Sequence, residues 1–396
     1  MPHLTKQSLY QFACLLLLAG LFNSCKEILP KPTEITRIPV DTSKIDSLRL
    51  VDSLPSFNSP VGLAVDGVGN IYVADYGNNL IRKITSGGVV STYAGNGNEG
   101  NSNGTNNLAS FNSPTGIAID GAGNLYVADS GNDLIRQITS SGNVLNFAGG
   151  DTIVAENGIG RHSSFSSPIG ITIDAGGNLF VADAGNNLIR KIAPDSTVTT
   201  FATSPSGFAN LINNPTGVAV DNKGNVYIAN YLSNNILISD NLGNINVFAG
   251  SGSFGNSNGS LATASFYYPN SVAVDNKRNI IYVADGVNNL IREITPDGMV
   301  STFAGSGRAD IIANGKGTNA SFNGPSGLAV DAAGNVYVAD TNNNLIRKIT
   351  PDGTVSTVAG NGHQGAHNGK MLARVKKMLV NSSHKNTVKI FNKHRF

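Results

Sequence analysis

The chain has 396 residues, 40% of them hydrophobic and 14% charged, with 46 Gly, no Trp and a formal net charge of +2. Abundant Gly beside frequent Asn and Ser argues against a helical bundle and predicts many short strands joined by many turns. The net charge conceals two unlike parts. Residues 60–360 hold 14 Lys and Arg against 21 Asp and Glu, a balance of −7, whereas residues 361–396 hold 8 basic residues and no acidic one. An acidic body lacks the Lys and Arg clusters that phosphate contacts need, so no nucleic acid is expected as partner.

At the amino terminus, Lys6 precedes an apolar run over residues 9–22. The run is too short to span a membrane and has the layout of a secretory signal peptide. It ends at Asn23-Ser24-Cys25. A small residue directly before a Cys resembles the lipobox of bacterial lipoproteins, whose Cys is diacylated and becomes the first mature residue. The resemblance implies a signal peptide over residues 1–24, lipidation at Cys25, and an exported protein anchored to the membrane on its periplasmic or cell-surface side. Lys26-Glu27 also resembles the surface-export signal of some Gram-negative lipoproteins. Cys14, inside the apolar run, is the other Cys, so no disulfide is expected in the mature chain. Residues 25–53, with Pro30, Pro32 and Pro39, read as a lipid-anchored tether in which residues 45–51 could add a strand to a sheet edge.

From residue 54 to residue 360 one unit recurs six times. Its anchors are Pro60, Pro114, Pro168, Pro215, Pro269 and Pro325, spaced by 54, 54, 47, 54 and 56 residues. A period of this size belongs to repeat architectures such as propellers. Four short strands can be written in each unit. In the first, residues 62–66 alternate large and small side chains, and residues 70–75 are apolar without alternation, as a strand covered on both faces must be. Residues 80–84 and 90–94 complete the unit, rich in the branched and aromatic side chains that pleated strands favour. The Gly/Asn link over residues 66–70 suits a tight antiparallel turn. The fifth copy carries Arg278 in place of Gly and an inserted Ile280, which predicts a bulge there.

One four-stranded sheet cannot bury two apolar faces, but six in a ring can. The string Pro-x-Gly-hydrophobic-Ala-Val-Asp-x-x-Gly-Asn-hydrophobic-Tyr-Val-Ala-Asp, followed by Asn-Asn-hydrophobic-Ile-Arg-Lys-Ile, resembles the NHL repeat. The resemblance implies an all-β, six-bladed β-propeller with four antiparallel strands per blade. Some related propellers are enzymes: peptidyl-hydroxyglycine amidating lyases use His ligands to a metal, and gluconolactonase-like hydrolases use clustered acids and Asn. Residues 54–360 hold a single His, His162, so neither a multi-His metal site nor a Ser-His-Asp arrangement can be assembled there. Gly95-Asn-Gly-Asn-Glu-Gly100 opens no helix and fails as a dinucleotide fingerprint. No cofactor and no metal are expected.

The recurrent polar pair is an Asp followed seven residues on by an Arg: Asp75/Arg82, Asp129/Arg136, Asp183/Arg190, Asp285/Arg292 and Asp340/Arg347. A ring of ligand-binding charges and a set of structural ion pairs are the two readings. The fourth copy favours the second, because Asn230 and Leu237 replace both charges together, and a lone buried charge is costly. Strand polarity places the turns between second and third strands, with the long Gly/Asn/Ser-rich inserts, on one face of the ring. Variable loops on a rigid scaffold are the usual place for binding. The copy-specific residues assigned to that face are Tyr76, Asp133, Arg161, His162, Tyr231, Asn234 and Val287.

The last stretch, residues 361–396, reads as a basic tail. Residues 360–369 begin like another insert, and then the pattern stops. An arm, an outer strand completing a blade and a truncated seventh repeat are all compatible with it. The expected function is a non-catalytic binding or scaffolding propeller of the cell envelope with a protein or glycan ligand. The alternative is a propeller hydrolase or lyase acting at the channel mouth.

Overall fold

The computed structural model describes residues 54–150, 155–207 and 210–370. Six sheets follow one another along these residues, each built on the same four antiparallel strands paired in chain order. In the first blade the strands are Pro60–Val65, Ile71–Asp75, Leu80–Ile84 and Val89–Ala94. The fold is therefore all-β, a six-bladed β-propeller.

The second strand shows why. Ile71 and Val73 pack with Tyr337, Ala339 and Ile346 of the sixth blade, while Tyr72 and Ala74 pack with Phe111, Leu125 and Val127 of the second. Successive side chains enter two different cores, so neither face meets water and no polar residue alternates. The described residues form six such cores, one at each seam. Each buried Ile, Val or Phe in them contributes roughly 1.5–3 kcal/mol. At the axis the first strands approach so closely that a Cβ on Gly62 would lie 2.0 Å from the Thr115 carbonyl oxygen, and one on Gly327 1.9 Å from that of Val61. This contact explains the Gly two residues after the anchor Pro.

Five of the six sheets gain a fifth strand that the four-strand repeat does not predict. These outer strands are two residues long: Gly104–Thr105, Gly158–Ile159, Gly259–Ser260, Gly315–Lys316 and Gly369–Lys370. The first four come from the insert preceding the blade that they join. The last pairs with the first blade, Gly369 opposite Val90 and Lys370 opposite Val89. The first sheet is thus assembled from both ends of the described chain, and this closes the ring. Ser56 N donates to His367 O, and Gly365 N to Phe57 O, along the same junction. Residues 361–370, placed in the basic tail from sequence although they begin like another insert, form the closing insert, and Gly369–Lys370 is an outer strand completing a blade, one of the alternatives left open there. Among the described residues blade four has no fifth strand, which leaves the outer strand Ile245–Ala249 as its edge.

The bulge expected in the fifth copy is also absent. Asp275 pairs with Ile280, the ladder runs without a register shift from Ser271 to that pair, and residues 276–279 make a longer turn. An ion pair of 2.7 Å between Arg278 and Asp275 ties that turn. Cys14, Cys25, the signal segment, the tether and residues 371–396 lie outside the described residues.

Candidate functional site

The Asp/Arg residues form five ion pairs, Asp75–Arg82, Asp129–Arg136, Asp183–Arg190, Asp285–Arg292 and Asp340–Arg347, at 2.7–3.2 Å with 0% side-chain exposure. Asp129 is typical. Its Oδ1 accepts from Asn112 N, and its Oδ2 from Asn132 Nδ2 and Arg136 Nη1. Burial raises its carboxyl above the usual Asp range, against the pull of these donors, and burial lowers the Arg136 guanidinium. Arg136 Nη2 donates to Ser102 O and Asn103 Oδ1, both in the insert that brings the fifth strand. Its Nε has no hydrogen-bond partner, and the guanidinium lies over the Phe111 ring, 5.3 Å from the centroid. Each Arg is thus a clamp between a strand, a Phe and an insert.

Blade four shows what happens without the clamp. Asn230 Oδ1 still accepts from Asn213 N, and its Nδ2 donates to Leu211 O and Asn235 Oδ1. Leu237 replaces the Arg, Ile212 stands where the other blades have Phe, and no fifth strand joins this sheet among the described residues. These changes are linked, since no guanidinium remains for the carboxylate, ring or insert to engage.

A second six-fold set lies beside the turns between second and third strands. Asn79 Oδ1 accepts from Ser113 N of the next blade, and Asp133, Asn187, Asn234, Asn289 and Asn344 repeat the contact with Ser167, Asn214, Tyr268, Gly324 and Ser59. Two residues assigned from sequence to a binding face, Asp133 and Asn234, are therefore inter-blade staples. Arg161 and His162 are elsewhere. They sit in a short 3-10 turn whose Gly160 N donates to Ser196 O, in the turn between third and fourth strands of blade three. The inserts run around the rim, so the expected face does not gather these two beside Tyr231. Tyr76 is exposed alone on blade one.

What does gather is an aromatic ladder at the seam of blades four and five. Tyr231 stacks on Tyr268 at 4.5 Å and 15°. Tyr267 leans on Tyr268 at 4.8 Å, and Phe254 on Tyr267 at 5.5 Å. Leu232 and Val287 are exposed nearby, with Val287 N donating to Tyr267 O. Phe254 is 73% exposed. The equivalent of the Tyr267–Tyr268 pair is Asn58-Ser59, Asn112-Ser113, Ser166-Ser167, Asn213-Asn214 or Asn323-Gly324 in the other blades. Tyr268 holds a φ of +52°, where a bulky side chain is strained. All six copies are left-handed at this position, from Ser59 to Gly324, and only this copy places a bulky ring there; a costly side chain kept at one copy out of six points to use. Tyr267, Tyr268 and Phe254 were not singled out from sequence. The signal was present in the Tyr-Tyr that replaces small polar residues before the anchor Pro.

The axial channel offers different chemistry. Its lining at both ends consists of Gly, Ala, Val, Leu, Ile, Thr, Ser and Asn, contributed by the first strands of all blades. No titratable side chain faces it among these. Among the described residues, no three His, Cys, Asp or Glu stand where they could share a metal ion.

Six blades of one repeat around such a channel define an NHL-type propeller. Models of the NHL repeat match residues 57–84, 111–138 and 322–349, and a model of the Teneurin NHL domain matches residues 151–313. The chain belongs to the NHL-repeat β-propellers. It is 30% identical over 326 residues to NHL repeat-containing protein 2 of Bos taurus, a match covering 74% of this chain and 39% of that protein. The match therefore spans well under half of this relative's length. An auxiliary nutrient binding protein from Bacteroides thetaiotaomicron superposes with a TM-score of 0.57 at 17% identity, over 76% of this chain and 70% of that one. A catalytically inactive virginiamycin B lyase from Staphylococcus aureus, with quinupristin, superposes with a TM-score of 0.51 at 16% identity, over 77% and 85%. At such identities both show the fold alone.

Proposed function

We propose that the chain is a non-catalytic binding or scaffolding propeller of the cell envelope, recognising a protein or glycan through the face that carries the Tyr231 ladder. The observation behind this reading is the contrast between that ladder and the channel. The ladder presents one exposed ring, Phe254, beside three half-buried tyrosines at a single seam, and the channel lining presents no general acid, base or nucleophile of the usual strength. One neighbour in fold is a lyase and another a nutrient binding protein, so the shared fold favours neither reading. Export and anchoring through Cys25 belong to the same proposal and rest on the signal-like segment before it.

The test is a turnover screen of the full chain against lactones, esters and peptides, with and without divalent metal ions. No turnover is expected. Robust turnover lost on replacing Asn270 or Ser271 at the channel mouth would establish the alternative, a hydrolase or lyase acting there. For the anchor, a fatty-acid analogue should label the wild type in cells and not Cys25→Ala; equal labelling would refute lipidation.

A further inference from the structure

We infer that the ladder formed by Tyr231, Tyr268, Tyr267 and Phe254 is a binding site for a neutral oligosaccharide. The inference rests on the binding reading above and names its ligand class. Flat apolar rings beside hydrogen-bonding groups are what a pyranose needs, since its axial C–H face lies on an aromatic ring while its hydroxyls seek polar partners. The ladder supplies both. Phe254 turns most of its surface to solvent, and the hydroxyls of Tyr231, Tyr267 and Tyr268 make no hydrogen bond to any described residue. The buried-strand tyrosines differ: Tyr126 and Tyr337 both donate to an Asp within their own blade.

Charge and size select the class. The segments that build the site, residues 210–214, 231–234, 250–260, 264–270 and 286–289, contain no Asp, Glu, Lys or Arg. Elsewhere the inserts carry Glu99, Arg161, Arg308 and Asp310, so the neutrality is local to this seam. An anionic glycan or a charged peptide would find no counter-ion here. A protein interface of standard size takes about 20–30 residues a side, and the ladder with Leu232 and Val287 offers six side chains. The site is also built in advance. Gly255 N donates to Phe266 O, and Asn288 Nδ2 to Gly255 O, which fix the loop under Phe254. Asn234 Oδ1 accepts from Tyr268 N and holds the strained residue. A rigid row of rings loses little freedom on binding, and its length suits several linked sugars.

The experiment uses the full chain and isothermal titration with neutral gluco-, manno- and xylo-oligosaccharides, beside uronic-acid oligosaccharides of matched length. The variants carry residues that other copies hold at the same place: Phe254→Gln after Gln364, and Tyr268→Asn after Asn214. Tyr231→Ala completes the set, and Tyr76→Ala on blade one is the control. Binding of at least one neutral series is expected, with a loss of about tenfold in each ladder variant and none in Tyr76→Ala. Tyr268→Asn should melt at or above the wild-type temperature, because Asn tolerates the positive φ, so lost affinity would not reflect unfolding. If the neutral sugars bind and all ladder variants bind equally well, the site is overturned while a glycan-binding propeller stands. Equal or tighter binding of uronic-acid series overturns the neutral class. If no oligosaccharide binds the wild type, the inference fails and the broader reading passes to a protein ligand.

Discussion

Asp129 and Arg136, 2.9 Å apart and fully buried, belong to a group that cannot be trimmed one atom at a time. Removing the carboxylate leaves a guanidinium buried against Phe111 with no counter-charge, a loss of about 3–5 kcal/mol. Asp129→Ala should therefore lower stability by that order in denaturant unfolding. The combination Asp129→Asn, Leu134→Asn and Arg136→Leu copies the neutral arrangement of Asn230, Asn235 and Leu237 and should recover much of it. No recovery would reopen a binding role for the pairs. Asp133 carries a different load. Asp133→Ala removes one inter-blade hydrogen bond and should cost about 1 kcal/mol without changing ligand affinity, while Asp133→Asn should be near neutral, since Asn fills this position in the other five blades. A loss of affinity in Asp133→Ala with unchanged stability would return the residue to the binding face. The ion pairs were legible because both charges vanish together in the fourth copy. The staples were not, because an Asn or Asp at the end of a turn gives no sign in the sequence that it serves the neighbouring blade.

At the scale of elements, the four strands and their turns were legible from period and composition, and the two-residue outer strands were not. Two residues carry too little pattern for a strand assignment. Their mark in the sequence is an Asn-Gly step: Asn103-Gly104, Asn157-Gly158, Asn258-Gly259, Asn314-Gly315 and Asn368-Gly369, missing from the short insert before blade four. The step makes sense only once the Arg is seen to hold the Asn Oδ1. Ring closure uses the same device, since Arg82 Nη2 donates to His367 O and Asn368 Oδ1. Asn368→Ala should thus destabilise the protein as much as Asn103→Ala does within the ring; a much smaller effect would mean that closure relies on the apolar seam instead. The uncovered strand Ile245–Ala249 should exchange its outward amides faster than its counterparts at Met299–Ala304 or Thr354–Ala359, as read by hydrogen exchange. Equal protection would show that something else covers this edge.

The whole molecule separates scaffold from site by symmetry. Whatever is repeated around the ring holds it: seam cores and staples in all six blades, and the axial glycine and the Arg clamp in five each. What is found once lies at the seam of blades four and five. Part of it, Tyr231 and Val287, was visible as copy-specific residues. The rest was hidden because Phe254, Tyr267 and Tyr231 come from separate segments that only the fold brings into contact. The acid-free channel lining was not read from the sequence, although the first strands that form it alternate large and small apolar residues. The most direct measurement is hydrogen exchange on the full chain with and without the neutral oligosaccharide that binds best. Protection gathered at residues 231–234 and 250–268, with the channel-facing strands unchanged, is the predicted result. Protection instead at residues 61–63, 169–171 and 270–272 would place the ligand at the channel mouth and contradict it.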